Sequence, residues 1–114
     1  MLDSEETRTR LIKRFKVETA KHLDGLKSNL PKLESAPEAE DALEQIFFLA
    51  HTIKGNVGMM LLLDQGFSRL NPYAQNLEAF ALALRDGQRI VEPGLLNDFY
   101  ENISQLEYKF AEVA

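Results

Sequence analysis

The sequence predicts an all-α protein, an antiparallel bundle of four helices running up-down-up-down. Three observations point to it. Apolar residues recur every three or four positions in four separate segments, no stretch alternates with the strand period long enough to compete, and the connections between segments are short. At 114 residues the chain suits one domain, 1–114, with a core of its own and no second domain, linker, repeat or low-complexity tract.

The first helix is expected over about Glu5 to Leu33, on the period of Leu11, Ile12, Phe15, Thr19, Leu23, Leu26, Leu30 and Leu33. Pro31 should kink or end it near its last turn, because proline has no N–H for the helical ladder. Ser35-Ala36-Pro37-Glu38 has the spacing of a capping box, so a second helix should start near Ala36. It should run to about Leu63, where Asp64-Gln65-Gly66 can terminate it. Asn71-Pro72 offers an N-cap and a first-turn proline for the third helix, and Asp86-Gly87 offers its end. Residues 67–70 fit neither helix by pattern. The fourth helix should start around Pro93, with Leu96, Phe99, Ile103, Leu106, Phe110 and Val113 as its inward seam.

Composition removes several function classes. A hydrophobic share of 45% beside a charged share of 27% is that of a soluble globular protein. No apolar run is expected to reach the roughly 20 residues of a membrane span, and the charged N-terminus MLDSEETRTR has no signal-peptide pattern. The absence of cysteine excludes disulfides and thiolate metal sites and points to the cytoplasm. The net charge of −5 argues against nonspecific nucleic-acid binding, and the basic cluster from Arg8 to Lys16 is flanked by acids, as on a solvated helix face. A metal site is not expected, because two histidines on different helices have no inward carboxylate cluster beside them.

The informative stretch is FFLAHTIKGNVGMM, Phe47 to Met60. Leu43, Ile46, Ala50, Ile53, Val57 and Met60 form one apolar stripe on the second helix. At about 100° per residue, His51 lies about 140° from the centre of that stripe and should face solvent. Phe47, Phe48, Lys54, Gly55, Gly58 and Leu62 neighbour it on the wheel. Phe48 should be exposed and Phe47 partly core, which makes an apolar docking patch around one ionisable ring. Lys54 can place an ammonium near anything bonded to the imidazole. The glycines either clear an approach to the helix backbone or permit close packing of a second helix. Met59 and Met60 read as packing residues, and His22 as structural or merely solvated. An exposed ring nitrogen with a nearby cation and a cleared approach suits transfer of an anionic group.

His51-Thr52-Ile53-Lys54-Gly55 followed by Gly58 is similar to the signature of histidine phosphotransfer domains, most of all to the N-terminal domain of chemotaxis-type histidine kinases. Ala74-Gln75-Asn76-Leu77-Glu78 and Ala83-Leu84-Arg85-Asp86-Gly87 resemble that domain's third helix, so the resemblance covers nearly the whole chain. It implies a phosphocarrier. His51 would be phosphorylated, Lys54 would offset phosphoryl charge, and Glu78 would accept a hydrogen bond from the other ring nitrogen and fix the tautomer. The partners it implies are a response-regulator receiver domain, which supplies its own Mg²⁺, and an upstream histidine kinase. Phe47, Phe48, Thr52, Gly55, Gly58 and Leu62 would meet the partner. The chain shows no ATP-binding loop, so a partner must phosphorylate it. It needs no cofactor of its own, and as an isolated domain it is expected to be a monomer. It reads as a relay protein or as the phosphorylated domain of a larger kinase, since the helical pattern still runs at the C-terminus. A non-catalytic module that binds a receiver-like partner without transfer is the competing reading. Two departures stand out: Leu61 replaces a further glycine, with about five residues added before the third helix, and Gln75 replaces a second histidine.

Overall fold

The computed structural model describes residues 4–36, 39–86 and 93–112. Among these there are four α-helices and no strand: α1 (Ser4–Ser35), α2 (Glu40–Leu63), α3 (Asn71–Arg85) and α4 (Pro93–Glu112), with a 3-10 helix (Gln65–Leu70) between α2 and α3. Each helix packs on the next, α4 returns to α1, and the molecule measures 52 × 22 × 20 Å. This closed ring is the packing of a four-helix bundle. Cross-helix contacts fix neighbours: Arg8 on α1 donates to the Leu63 carbonyl of α2 at 3.4 Å, Lys27 on α1 pairs with Glu107 on α4 at 2.8 Å, and the Phe80 and Phe99 rings of α3 and α4 meet at 5.6 Å.

α1 carries Glu5 and Glu6 in its first turn, where the helix dipole favours negative charge. Pro31 neither ends nor limits it, and four more helical residues follow to Ser35. Pro31 is exposed, so water can take the Lys27 carbonyl that the missing N–H leaves without a partner. The capping box does not form. Ser35 belongs to α1, its hydroxyl donating back to the Lys32 carbonyl at 3.3 Å, and the Ala36 N–H bonds the same carbonyl at 2.9 Å. Pro37 and Glu38 lie outside the described residues. α2 therefore starts at Glu40, after an extended Ala39 that gives no side-chain cap, with Glu40 and Asp41 on its positive end instead.

The end of α2 is as expected. Asp64 leaves the helix, and its carboxylate accepts the Gly66 N–H at 2.8 Å, an Asx turn that opens the 3-10 helix. That helix absorbs the added residues and buries Phe67 and Leu70, which explains why 67–70 matched no α-helical pattern. It runs straight into α3. Asn71 consequently has helical angles (φ −58, ψ −46) and is not an N-cap, while Pro72 sits in the first turn. The preceding turn already supplies carbonyl partners, including that of Ser68 for the Asn71 N–H. α3 ends at Arg85, and Gly87 and Val113 lie outside the described residues.

The core is the α2 stripe of Ile46, Ala50, Ile53, Val57 and Met60, all fully buried, faced by Leu26 and Leu30, Leu77, and Phe99 and Leu106. Asn102 is buried among them and satisfied: its amide donates to the Tyr73 carbonyl at 2.8 Å and its oxygen accepts from Asn76 at 3.3 Å, which ties α4 to α3. By length and composition α2 does pass as a membrane span, contrary to the expectation of no such run. Ile46, Ala50, Ile53, Val57 and Met60 of this helix are buried in the core it shares with α1, α3 and α4, while Phe48, Met59 and Leu62 stay exposed.

Candidate functional site

Because the core takes the stripe through Ile53 and Val57, α2 turns His51 outward, and its side chain is 68% exposed. Nδ1 of His51 lies 2.6 Å from Oε2 of Glu78 on α3. An ionised carboxylate can only accept, so this short contact puts the proton on Nδ1 and leaves Nε2 with its lone pair when the ring is neutral. The second carboxylate oxygen, Oε1, accepts from Nζ of Lys54 at 3.0 Å. One carboxylate thus serves both basic groups of the motif. Partial burial pushes the Glu78 carboxyl up, but hydrogen bonds from Lys54 and His51, helped by their charges, hold it below its ordinary value. Glu78 is therefore an anion at neutral pH, and it keeps Lys54 beside the histidine.

Two further groups frame the ring. Phe47, half-buried against the core, stacks on His51 with centroids 5.8 Å apart and planes 16° apart. The guanidinium of Arg85 on α3 lies 3.9 Å from the Phe47 ring centre. Phe48 is 59% and Leu62 80% exposed, and Met59, expected to pack, is 50% exposed on the same helix while Met60 is fully buried. Phe48, Thr52, Gly55, Met59 and Leu62 follow at steps of three and four and so share one outward stripe. The Thr52 hydroxyl donates to the Phe48 carbonyl of its own helix at 2.8 Å. Leu62 also borders an open cleft with Glu5, Arg8 and Leu11 at the far end of α1 and α2, away from the histidine. His22 is half-buried on α1 and joins none of these contacts. Among the described residues no cluster of His, Asp and Glu fit to hold a metal is present.

The structure decides between the two readings of the glycines. A Cβ built at Gly55 or Gly58 meets nothing within 4 Å, so neither residue is there to let another helix pack closely. Gly55→Ala and Gly58→Ala are each expected to stabilise the chain by up to about 1 kcal/mol, the helix-propensity difference, measurable as a raised urea midpoint. A lowered midpoint would expose a packing role. Arg85 is the residue of this site that sequence reasoning missed. The available signal was its spacing of seven from Glu78, which puts both on one face of α3.

The site is thus an exposed histidine, held by a carboxylate of the adjacent helix and flanked by a bare stretch of helix backbone. The chain is 32% identical over 99 residues to the chemotaxis protein CheA of Halobacterium salinarum, an alignment that covers 87% of this chain and only 14% of that protein. The family model of the Hpt domain matches residues 10–109, nearly the whole bundle including His51 and Glu78, and the chain belongs to the Hpt domain family.

Proposed function

We propose that this chain is a histidine-containing phosphocarrier of a two-component phosphorelay, exchanging a phosphoryl group between His51 and the aspartate of a receiver domain. The observation that carries the reading is the 2.6 Å contact from Nδ1 to Glu78 on a ring whose side chain is 68% exposed. One nitrogen is occupied and the other is free. In the forward step the Nε2 lone pair forms the N–P bond as the aspartyl O–P bond breaks, and the aspartate leaves as a carboxylate. The ring becomes a phosphorylated imidazolium with its Nδ1 proton still donated to Glu78, whose negative charge offsets the positive charge that develops. In the reverse step the same proton lets the ring leave as neutral imidazole. Lys54 is close enough to Glu78 to shift its ammonium toward the incoming phosphoryl oxygens, and transfer of this kind depends on such positioning and charge compensation.

The receiver would supply the Mg²⁺ and dock on Phe48, Thr52, Gly55, Gly58 and Leu62, with Phe47 at the edge of the patch. A separate histidine kinase, or other domains of the same protein, would load the phosphate in the cytoplasm. The name of the Halobacterium relative supports a place in a signalling pathway. The contacts of Arg8, early in α1, with Leu63 at the end of α2 and of Phe80, late in α3, with Phe99, early in α4, support an antiparallel, up-down-up-down order. A monomer is proposed, since the bundle closes its own core. The test is to incubate the chain with a phosphorylated receiver and Mg²⁺ or with a cognate kinase. Acid-labile, alkali-stable phosphate on the chain is the expected result. A chain that binds the receiver and never acquires phosphate would be an interaction module instead.

A further inference from the structure

Two contacts hold the His51 ring, and both lead back to α3. The first is the hydrogen bond to Glu78. The second runs through Phe47, one turn earlier on α2, whose ring lies nearly parallel to the imidazole at a centroid distance of 5.8 Å, within the range of offset stacking. Phe47 is in turn covered by the Arg85 guanidinium at 3.9 Å, a cation–π contact, and the Nε of Arg85 is anchored on Asp86 at 3.3 Å. Glu78 and Arg85 lie seven residues apart on one face of α3, so a single helix grips the histidine at two places.

The two grips restrain different motions. The terminal torsion of a histidine is broad, and one hydrogen bond through Nδ1 still allows the ring plane to rock about that contact. A flat neighbour against the ring face removes this freedom. We infer that Phe47 and Arg85 are positioning residues: Phe47 holds the plane of the His51 ring, and Arg85 holds Phe47, so that the Nε2 lone pair points in one direction. The inference rests on the phosphocarrier reading for its consequence in transfer, and on the ring contacts alone for its structural part.

Phosphoramidate tests it with a donor too small to need the apolar docking patch. Nε2 forms the N–P bond, the P–N bond of the donor breaks, and ammonia leaves with a proton from solvent. Phe47→Leu should slow labelling of His51 about tenfold at saturating donor, the scale of a misplaced reacting atom, and Phe47→Tyr, which keeps a flat ring, should restore it. Arg85→Met, which keeps the apolar stem, should slow it about threefold. Nitrogen-15 NMR of the neutral ring should show Nδ1–H dominant in the parent chain, with a larger share of the Nε2–H form in Phe47→Leu and Arg85→Met. A general loss of packing would not single out this tautomer balance. Wild-type ring shifts and wild-type labelling in both variants overturn the inference, and should Phe47→Leu fail to fold, Arg85→Met at the end of α3 decides it. The NMR readout needs no donor: if the parent chain takes up no phosphate, the phosphocarrier reading falls while the ring shifts still decide the positioning.

Discussion

Replacing His51 with glutamine is expected to abolish acid-labile phosphate on the chain and to leave the fold intact. Glutamine has no lone-pair nitrogen able to attack phosphorus, while its amide can still donate to Glu78 where Nδ1 does now. The side chain is 68% exposed, so the change in stability should stay within about 0.5 kcal/mol, as for surface sites generally. The chain has two histidines, which makes His22→Gln the matched control. Labelling from a phosphorylated receiver should vanish in the first variant and persist in full in the second. Label retained by His51→Gln would move the site elsewhere and end the proposal for this ring.

The second large effect is expected from Glu78→Gln, which should slow phosphoryl uptake on the order of a hundredfold, the upper range for loss of a partner that orients a working histidine. The glutamine amide can donate to Nδ1 and so favour the tautomer with its proton on Nε2, which ties up the attacking lone pair. It also removes the charge that offsets the phosphorylated imidazolium and the counter-ion that holds Lys54 at 3.0 Å. Single-turnover labelling measures the rate. The same variant carries a pH signature. The folded-state carboxyl sits below its ordinary value of 4.5, so its contribution to stability is complete above that value and is lost as the pH falls through the lower, folded one. The stability gap between the parent chain and Glu78→Gln, read from urea midpoints, should be widest at neutral pH and close below about 4.5. A gap that does not change with pH would mean that the Glu78 ion pairs contribute nothing to folding.

The predicted elements held where one local rule acted alone. The stripe from Ile46 to Met60 follows a single period, and it correctly put Ile53 inside and His51 outside. The start of α4 at Pro93 and the Asp64 turn were legible for the same reason. Errors came where two local preferences competed for one residue. Ser35 can cap a following helix or extend the preceding one, and the carbonyl of Lys32 wins it. Asn71 is a good cap only for a helix that starts from extended chain, and here a 3-10 helix feeds directly into α3. Residues 67–70 were opaque because the 3-10 turn buries Phe67 and Leu70 three apart, too short a pattern to set a period.

For the site, the sequence by itself determined which face of α2 looks outward and which residues lie on it, because helical periodicity is a property of three or four neighbouring residues. It marked Glu78 only through resemblance to a family. That Glu78 meets both His51 and Lys54, that Arg85 reaches the Phe47 ring, and that nothing fills the space beside Gly55 and Gly58 were decided by the tertiary structure alone. Those contacts depend on the axial offset and rotation of α3 against α2, which the packing of the whole core sets and no local period encodes.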